Sequence, residues 1–176
     1  MVTTTEAQSG TAYAVAASVT DPEMPMLTLE DLGVLRSVAE HDGPEGSTGW
    51  VEVAITPTYS GCPAMATMRD DLVHRLHDAG YADVRVRVQL SPAWSSDWIT
   101  ERGRRALTDA GLSAPGAAAH HDGPVPLTLL PPRRSVLCPR CGSRDVQLTS
   151  EFGSTACKAI YRCVSCLEPF DHIKEI

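Results

Sequence analysis

Apolar and polar residues alternate along two stretches of the first half of the chain. Residues 50–56 carry Val51, Val53 and Ile55 on one side, and residues 84–90 separate aliphatic from polar side chains in the same way. A period of two predicts a strand with one buried face. The side chains that we expect to point inward in the second strand are Val84, Val86, Val88 and Leu90.

Between these strands the apolar residues recur at the spacing of a helix. They are Met65, Met68, Leu72, Val73, Leu76 and Ala79. Gly80 follows them as a stop signal. We therefore predict a helix that crosses from one strand to the other.

Two further elements complete the first part of the chain. An earlier strand over 34–38 is predicted to form a hairpin with the 50–56 strand through the glycine-rich residues 41–49. A closing helix is predicted over 97–110. Its candidate buried residues are Ile99, Ala106, Leu107 and Ala110.

The order helix, strand, strand, helix, strand, helix is typical of an α/β (α+β) domain in which helices pack on one small sheet in two layers. We assign this domain to residues 12–112. Residues 113–134 are rich in proline, glycine and alanine and are predicted to form a linker without a core. Residues 135–176 then form a second, smaller domain.

Length and charge narrow the possible functions. The 176 residues suffice for one ordinary domain and a small module, and the formal net charge is −7. Residues 1–112 hold 8 basic and 16 acidic side chains, which disfavours binding to nucleic acid. The sequence starts without a basic, apolar leader and has no run of about 20 apolar residues. We therefore expect a cytoplasmic protein without a membrane partner.

Four cysteines near the C-terminus predict a metal site. Cys138 and Cys141 form one pair, Cys163 and Cys166 form another, and 21 residues lie between the pairs. That spacing suits a short β-hairpin which brings the pairs together as a zinc ribbon. Iron on the same four thiolates is the alternative. Because the segment is small, metal binding would supply much of its folding free energy.

A fifth cysteine lies where the central helix is predicted to start. Pro63 suits the first turn of a helix, so Cys62 is expected at or beside the N-cap. Backbone N–H groups and the helix dipole would there favour the thiolate, and Gly61 would let the loop approach closely. The alternative is that Cys62 is a small buried apolar residue.

Four other residues have a functional and a structural interpretation. Asp21 and Glu23 are candidate catalytic carboxylates or simple turn residues, ahead of a Thr28-x-x-Asp31 pattern that is typical of a capped turn. Cys157 is a spare cluster ligand, a transfer thiol that passes metal to a client, or a packed thiol. Trp94 either covers a site or wedges the domain.

Several of these motifs together resemble known families. Asp-Pro-Glu-Met-Pro at 21–25, Thr-Pro-Thr-Tyr-Ser-Gly-Cys-Pro-Ala at 56–64 and Ser-Pro-x-Trp at 91–94 resemble the iron–sulfur assembly factors that include SufT. The whole chain, with Phe-Gly-Ser-Thr-Ala-Cys-Lys-Ala at 152–159 and the cysteine ribbon, resembles the PaaD (PaaJ) family. Members of that family are D subunits encoded with bacterial phenylacetyl-CoA epoxidase.

The resemblance implies an accessory role in phenylacetate catabolism. It implies assembly, maturation or repair of the iron–sulfur cluster or di-iron centre of the epoxidase, with the oxygenase or reductase component and the cluster-assembly machinery as partners. Iron or a cluster would be bound or transferred at Cys62, near Asp21 and Glu23. The supporting loop residues are Thr58, Gly61, Pro63 and Trp94. No Glu-x-x-His occurs in the chain, so the chain itself is not expected to be the di-iron enzyme.

Two alternatives belong to other functional classes. The chain could be a zinc-ribbon module for protein or nucleic-acid binding without cluster chemistry, although its acidic balance argues against phosphate contacts. It could also be a thiol enzyme with Cys62 as the nucleophile and His74 or His77 as the base. Those histidines lie about 18–22 Å along the helix, too far to act on Cys62.

Overall fold

The fold was taken from a computed structural model, which describes residues 11–42, 49–59, 61–118 and 136–176. The chain divides into two compact units. The first comprises the residues up to Trp94 together with Trp98–Gly103, and the second comprises Ser95–Asp97 together with the residues from Arg104 onward. Across the described ranges no helix is long and apolar enough to cross a membrane.

The first unit is a three-stranded sheet with helices. Its elements are α1 (Thr11–Ala17), β1 (Leu35–His41), β2 (Trp50–Ile55), α2 (Met65–Asp78) and β3 (Asp83–Val88). Strand β2 is central, with β1 antiparallel and β3 parallel to it. The predicted strands, crossing helix and hairpin pairing are confirmed, while the turn residues 43–48 lie outside the described ranges.

Burial follows the predicted periodicity in the first half of β2 and along one face of α2. Ala54 and Thr56, on the opposite side of the strand, are also buried, so the prediction of a single buried face was wrong at the end of β2. Val51, Val53 and Ile55 of β2 are buried, and so are the α2 residues that share one helical face. Those α2 residues are Met68, Leu72 and Leu76. Helices α1 and α2 contact each other and the two outer strands, so the unit has the two layers expected of it.

The inward face of β3 was predicted wrongly in its second half. Val84 and Val86 are half-buried, but Val88 is 44% and Leu90 64% exposed. Among the strands of the described ranges, β3 has a neighbour on one side only and is therefore an edge strand. Alternation predicts which side chains share a face, and it does not predict how much of an edge strand the rest of the domain covers.

The closing helix is shorter than predicted and is broken. A 3₁₀ turn spans Ser96–Trp98, and α3 spans Glu101–Asp109. Ile99 and Leu107 are buried as expected, whereas Ala106 is half-buried and Ala110 is exposed. The break after the 3₁₀ turn means that the four predicted positions do not lie on one continuous helical face.

The second unit contains a three-stranded antiparallel sheet of β4 (Val146–Ser150), β5 (Lys158–Cys163) and β6 (Pro169–Ile173). The predicted hairpin between the cysteine pairs is β4–β5, and β6 was not predicted. Its small core consists of Val136, Cys138, Ala159, Tyr161, Cys163 and Phe170. A core of this size supplies little stability by itself, so additional cross-links are needed.

The first residues of the predicted linker pair with this sheet. Ser113 forms a bridge with His172 in β6, and its hydroxyl lies 3.0 Å from Nδ1 of that histidine. The backbone N–H of Gly116 donates to Glu175 Oε1 at 3.1 Å. His172 is fully buried. Residues 119–135, including His120 and His121, lie outside the described ranges.

Candidate metal and thiol sites

The four paired cysteines converge at one end of the second sheet. The Sγ atoms of Cys138 and Cys166 lie 3.7 Å apart, and those of Cys141 and Cys163 lie 3.6 Å apart. All four sulfurs lie within 4.8 Å of one another. A tetrahedral ion with metal–sulfur bonds of about 2.3 Å needs sulfurs about 3.8 Å apart. The donor set and its spacing therefore fit a four-thiolate zinc or iron ion.

The two cysteine turns, Cys138–Gly142 and Cys163–Leu167, have the same backbone geometry. The N–H of Cys138 donates to the Ser143 carbonyl at 2.9 Å, and the N–H of Cys163 donates to the Glu168 carbonyl at 2.9 Å. The fifth residue of each turn is left-handed, with φ 73° at Gly142 and φ 65° at Leu167. This shared geometry turns both cysteines of each pair toward one point.

Without a bound cation, the four clustered thiols shift one another's pKa values. The Cys166 backbone N–H, 3.5 Å from the Cys163 sulfur, lowers the pKa of Cys163 to about 6. The backbone N–H of Ser143 lowers the pKa of Cys141, but contact with Cys163 and desolvation outweigh it and raise that pKa to about 12. Four adjacent thiolates need a cation, because like charges this close oppose one another's ionisation.

Cys157 lies apart from this cluster. It is buried immediately before β5, where the Thr155 hydroxyl contacts its sulfur at 3.1 Å. It precedes Cys163 by six residues, or about 20 Å along an extended strand. Cys157 is therefore not a fifth ligand of the four-sulfur cluster, and its role in transfer stays a prediction.

The loops that carry the sequence motifs of the first unit lie at one end of its sheet. Leu35 at the start of β1, Ile55 at the end of β2 and Val88 at the end of β3 lie side by side in the register. The loops that carry Cys62 and Trp94 leave the sheet from this end. The acidic loop joins it through backbone hydrogen bonds that link residues 19, 29, 34 and 35.

Cys62 is half-buried and lies in a turn of its own. Its N–H donates to the Tyr59 carbonyl at 3.2 Å, and its carbonyl accepts from Met65 N–H at 3.4 Å. Helix α2 begins at Met65 with Ala64 as N-cap. The cysteine is thus two residues before the cap, and the predicted placement at or beside it was wrong. Pro63 belongs to this turn, because the turn over 62–65 delays the helix.

Gly61 does not have the predicted role in close packing. A Cβ at Gly61 would meet the Tyr59 ring at 3.6 Å, which is an ordinary contact. Thr58, earlier in the same loop, is half-buried. The loop therefore has room beside the glycine.

The carboxylates of the acidic loop have different environments. Asp21 is buried, and its Oδ1 accepts from the N–H groups of Glu23 at 2.7 Å and Met24 at 2.8 Å. These bonds fix the turn. Glu23 itself is exposed. Trp94 is buried and its indole N–H donates to the Leu32 carbonyl at 2.8 Å, which anchors the third loop.

Asp31 has a larger structural role than its sequence pattern indicates. The predicted turn with Thr28 is confirmed by hydrogen bonds of 3.0 and 2.9 Å to Oδ2. In addition, Thr100 donates to Oδ1 at 2.9 Å and Arg102 forms an ion pair with the carboxylate. These partners are about 70 residues away in sequence, so local spacing gives no signal for them.

Two family profiles match the chain. Residues 12–89 match the profile described as iron-sulfur cluster assembly protein. Residues 122–174 match the profile described as PaaD zinc beta ribbon domain. The first match contains Cys62 with the acidic loop, and the second contains the four clustered cysteines.

Individual proteins are similar to the chain over different lengths. The putative D subunit of the 1,2-phenylacetyl-CoA epoxidase of Escherichia coli (strain K12) is 44% identical over 162 residues, covering 92% of this chain and 90% of that protein. An Fe-S protein maturation auxiliary factor of Porphyromonas gingivalis is 29% identical over 48% of this chain and 75% of that protein. A crystal structure of a domain of unknown function (DUF59) from Bacillus anthracis aligns with TM-score 0.46 and 24% identity, covering 55% and 87% of the two chains.

Proposed function

Because the chain belongs to the family of phenylacetyl-CoA epoxidase D subunits, we propose that it is an accessory subunit for the metal cofactor of such an epoxidase. It acts in assembly, maturation or repair of an iron–sulfur cluster or di-iron centre, within phenylacetate catabolism. The supporting observation is that a profile for iron–sulfur cluster assembly covers the unit that carries Cys62. The oxygenase or reductase component and the cluster-assembly machinery are its partners.

In this proposal Cys62 binds or transfers iron or a cluster as cargo. A thiolate is a soft ligand that suits iron, and Cys62 is half-buried in a turn where the sheet ends. Glu23 in the acidic loop is the exposed carboxylate that supplies an oxygen ligand. Asp21 holds the turn before it, since its carboxylate is occupied by two backbone N–H groups.

The ribbon has a structural metal and docks the partner. Zinc bound by Cys138, Cys141, Cys163 and Cys166 would cross-link the two cysteine turns and stabilise a unit with a small core. Four protein sulfurs fill a tetrahedral ion and leave no position for a substrate. The chemistry of transfer is therefore assigned to the first unit. We place the protein in the cytoplasm, where thiols stay reduced.

Replacement of Cys62 by serine tests this proposal. We expect Cys62→Ser to keep its fold and one zinc per chain, and to lower epoxidase activity in cells, because an alcohol is a poor iron ligand at neutral pH. Cys157→Ser is measured in the same assay, because that thiol is also a candidate for transfer, and loss of activity in Cys157→Ser alone would assign the transfer step to Cys157. Full epoxidase activity with Cys62→Ser would favour a zinc-ribbon binding module without cluster chemistry.

A further inference from the structure

Arg36 has an unusual environment at the start of β1. The strand register shifts between Leu35, which pairs with Ile55, and Ser37, which pairs with Ala54. Arg36 is the extra residue of this bulge. Its guanidinium carbon lies 3.7 Å from the centre of the Trp98 ring, and its Nε is buried without a hydrogen-bond partner.

The charge of Arg36 has no partner carboxylate within the described part of the chain. Three other arginines of the same unit form ion pairs, and Arg69 and Arg75, which have none, are exposed, whereas Arg36 is half-buried and has none among the described residues. The paired arginines are Arg85, Arg87 and Arg102. Residues 1–112 carry 16 acidic and 8 basic side chains. In such an acidic domain, a half-buried guanidinium without a counter-ion needs an explanation.

The backbone at Gly33 fixes the position of Trp98, on which Arg36 stacks. Gly33 is left-handed with φ +66°, and a Cβ there would lie 2.5 Å from the Cβ of Trp98. Only glycine lets the tryptophan come this close. On the neighbouring strand, Thr56 follows Ile55 directly and its hydroxyl is buried without a partner. Two unsatisfied polar groups therefore lie at one end of the sheet, one in β1 and one directly after β2.

We propose that Arg36, stacked on Trp98, is the recognition group of a site for a carboxylate. A planar guanidinium presents paired N–H groups that match the two oxygens of a carboxylate. Arg36 is partly exposed, so an incoming group can reach it. The net negative charge of residues 1–112 opposes an approaching anion in proportion to its charge, so it favours a singly charged carboxylate over phosphates of higher charge. This site is separate from the cargo chemistry assigned to Cys62 and does not depend on it.

The side-chain N–H signal of Arg36 and the indole signal of Trp98 can report binding. The experiment titrates the isotope-labelled, zinc-loaded full chain with sodium acetate, against sodium chloride at equal ionic strength. We expect saturable shifts of both signals with acetate alone. Arg36→Lys keeps the charge but loses the paired donors, so the Trp98 shift should then need about tenfold more acetate. Arg69→Lys, an exposed position on α2, should bind as the wild type.

Several outcomes would overturn the assignment. These are shifts that follow ionic strength without saturation, unchanged acetate binding in Arg36→Lys, and tighter binding of inorganic phosphate than of acetate. Unchanged strand β2 amide signals in the variant show that its fold is kept. Addition of purified epoxidase components distinguishes two sources of the carboxylate. An Arg36 shift that acetate reverses identifies a partner side chain, and no shift excludes the added components as the source of the carboxylate.

Discussion

Gly33 shows how one residue determines the position of a neighbouring side chain. Its backbone is left-handed, and a Cβ added there would lie only 2.5 Å from the Trp98 Cβ, so there is no room for a side chain. We expect Gly33→Ala to lower the free energy of unfolding by about 2–3 kcal/mol, from backbone strain and overpacking together. Equilibrium urea unfolding of the first unit, followed by its amide signals, measures this.

Gly80 provides the matched control for that prediction. It has φ +98°, and a Cβ there would meet nothing within 4 Å. Gly80→Ala should therefore lower the free energy of unfolding only through the strain of a left-handed backbone, by about 1 kcal/mol. Equal losses in the two variants would show that the contact with Trp98 does not matter.

Individual residues also show the limit of prediction from the sequence. The turn of Thr28 and Asp31 followed from a spacing of three residues, and the structure has it. The pairing of Asp31 with Arg102 depends on the folded backbone bringing distant segments together. The unpaired state of Arg36 is equally invisible, because a sequence contains no distances.

At the level of elements, the two cysteine turns differ at one equivalent position. Gly142 and Leu167 are both left-handed, but only leucine has a Cβ that opposes this conformation. We expect Leu167→Gly to raise the free energy of unfolding of the zinc-loaded ribbon by about 0.5–1 kcal/mol. Protection of β5 amides from hydrogen exchange provides the measurement.

The reciprocal substitution, Gly142→Leu, tests the strain of the equivalent left-handed position in the other cysteine turn. A Cβ at Gly142 would meet no neighbouring atom. Only the left-handed backbone therefore opposes a larger residue at this position. Gly142→Leu should lower ribbon stability by about 1 kcal/mol. If Leu167→Gly also destabilised the ribbon, the leucine side chain would be contributing packing that outweighs its strain.

The contact of Glu175 with β6 makes ribbon stability depend on pH. Burial raises the pKa of Glu175, but His172 at 3.3 Å and the Gly116 N–H outweigh it and lower the pKa to about 2. A carboxyl with a lowered pKa stabilises the fold above its unfolded pKa, and this contribution disappears as pH falls from about 5 to about 2. Glu175→Gln should lose about 1–2 kcal/mol at pH 7, allowing for solvent exposure.

Comparison of Glu175→Gln with the wild type at each pH separates this effect from acid release of the metal, which both proteins share. The difference in stability should be constant above about pH 5 and shrink below it. A difference that stays constant down to about pH 3 would exclude the carboxylate as its origin.

Periodicity and spacing predicted those elements that carry a strong local signal. Strand β2, helix α2 and the β4–β5 hairpin are where the sequence places them. Strand β6 was missed, since Pro169–Ile173 mixes polar and apolar residues without a clear alternation. The break before α3 was missed because the buried residues on both sides of it fit one helical period.

At the scale of the whole molecule, the two units should respond differently to loss of the metal. Cys138 is buried in the small core of the second unit and is one of the four clustered thiols. We expect Cys138→Ser to unfold the region of residues 136–176, because metal binding supplies its folding free energy. Limited proteolysis of the full chain should cleave this region and spare the first unit. A protease-resistant tail would show that the ribbon folds without its metal.

The iron content of the epoxidase components tests the central claim most directly. They would be purified without oxygen from cells that contain the wild-type chain, Cys62→Ser or no chain, and analysed for iron and acid-labile sulfide. We predict full occupancy with the wild type and low occupancy in the other two. Equal occupancy in all three would contradict a role of this chain in supplying or repairing the metal cofactor.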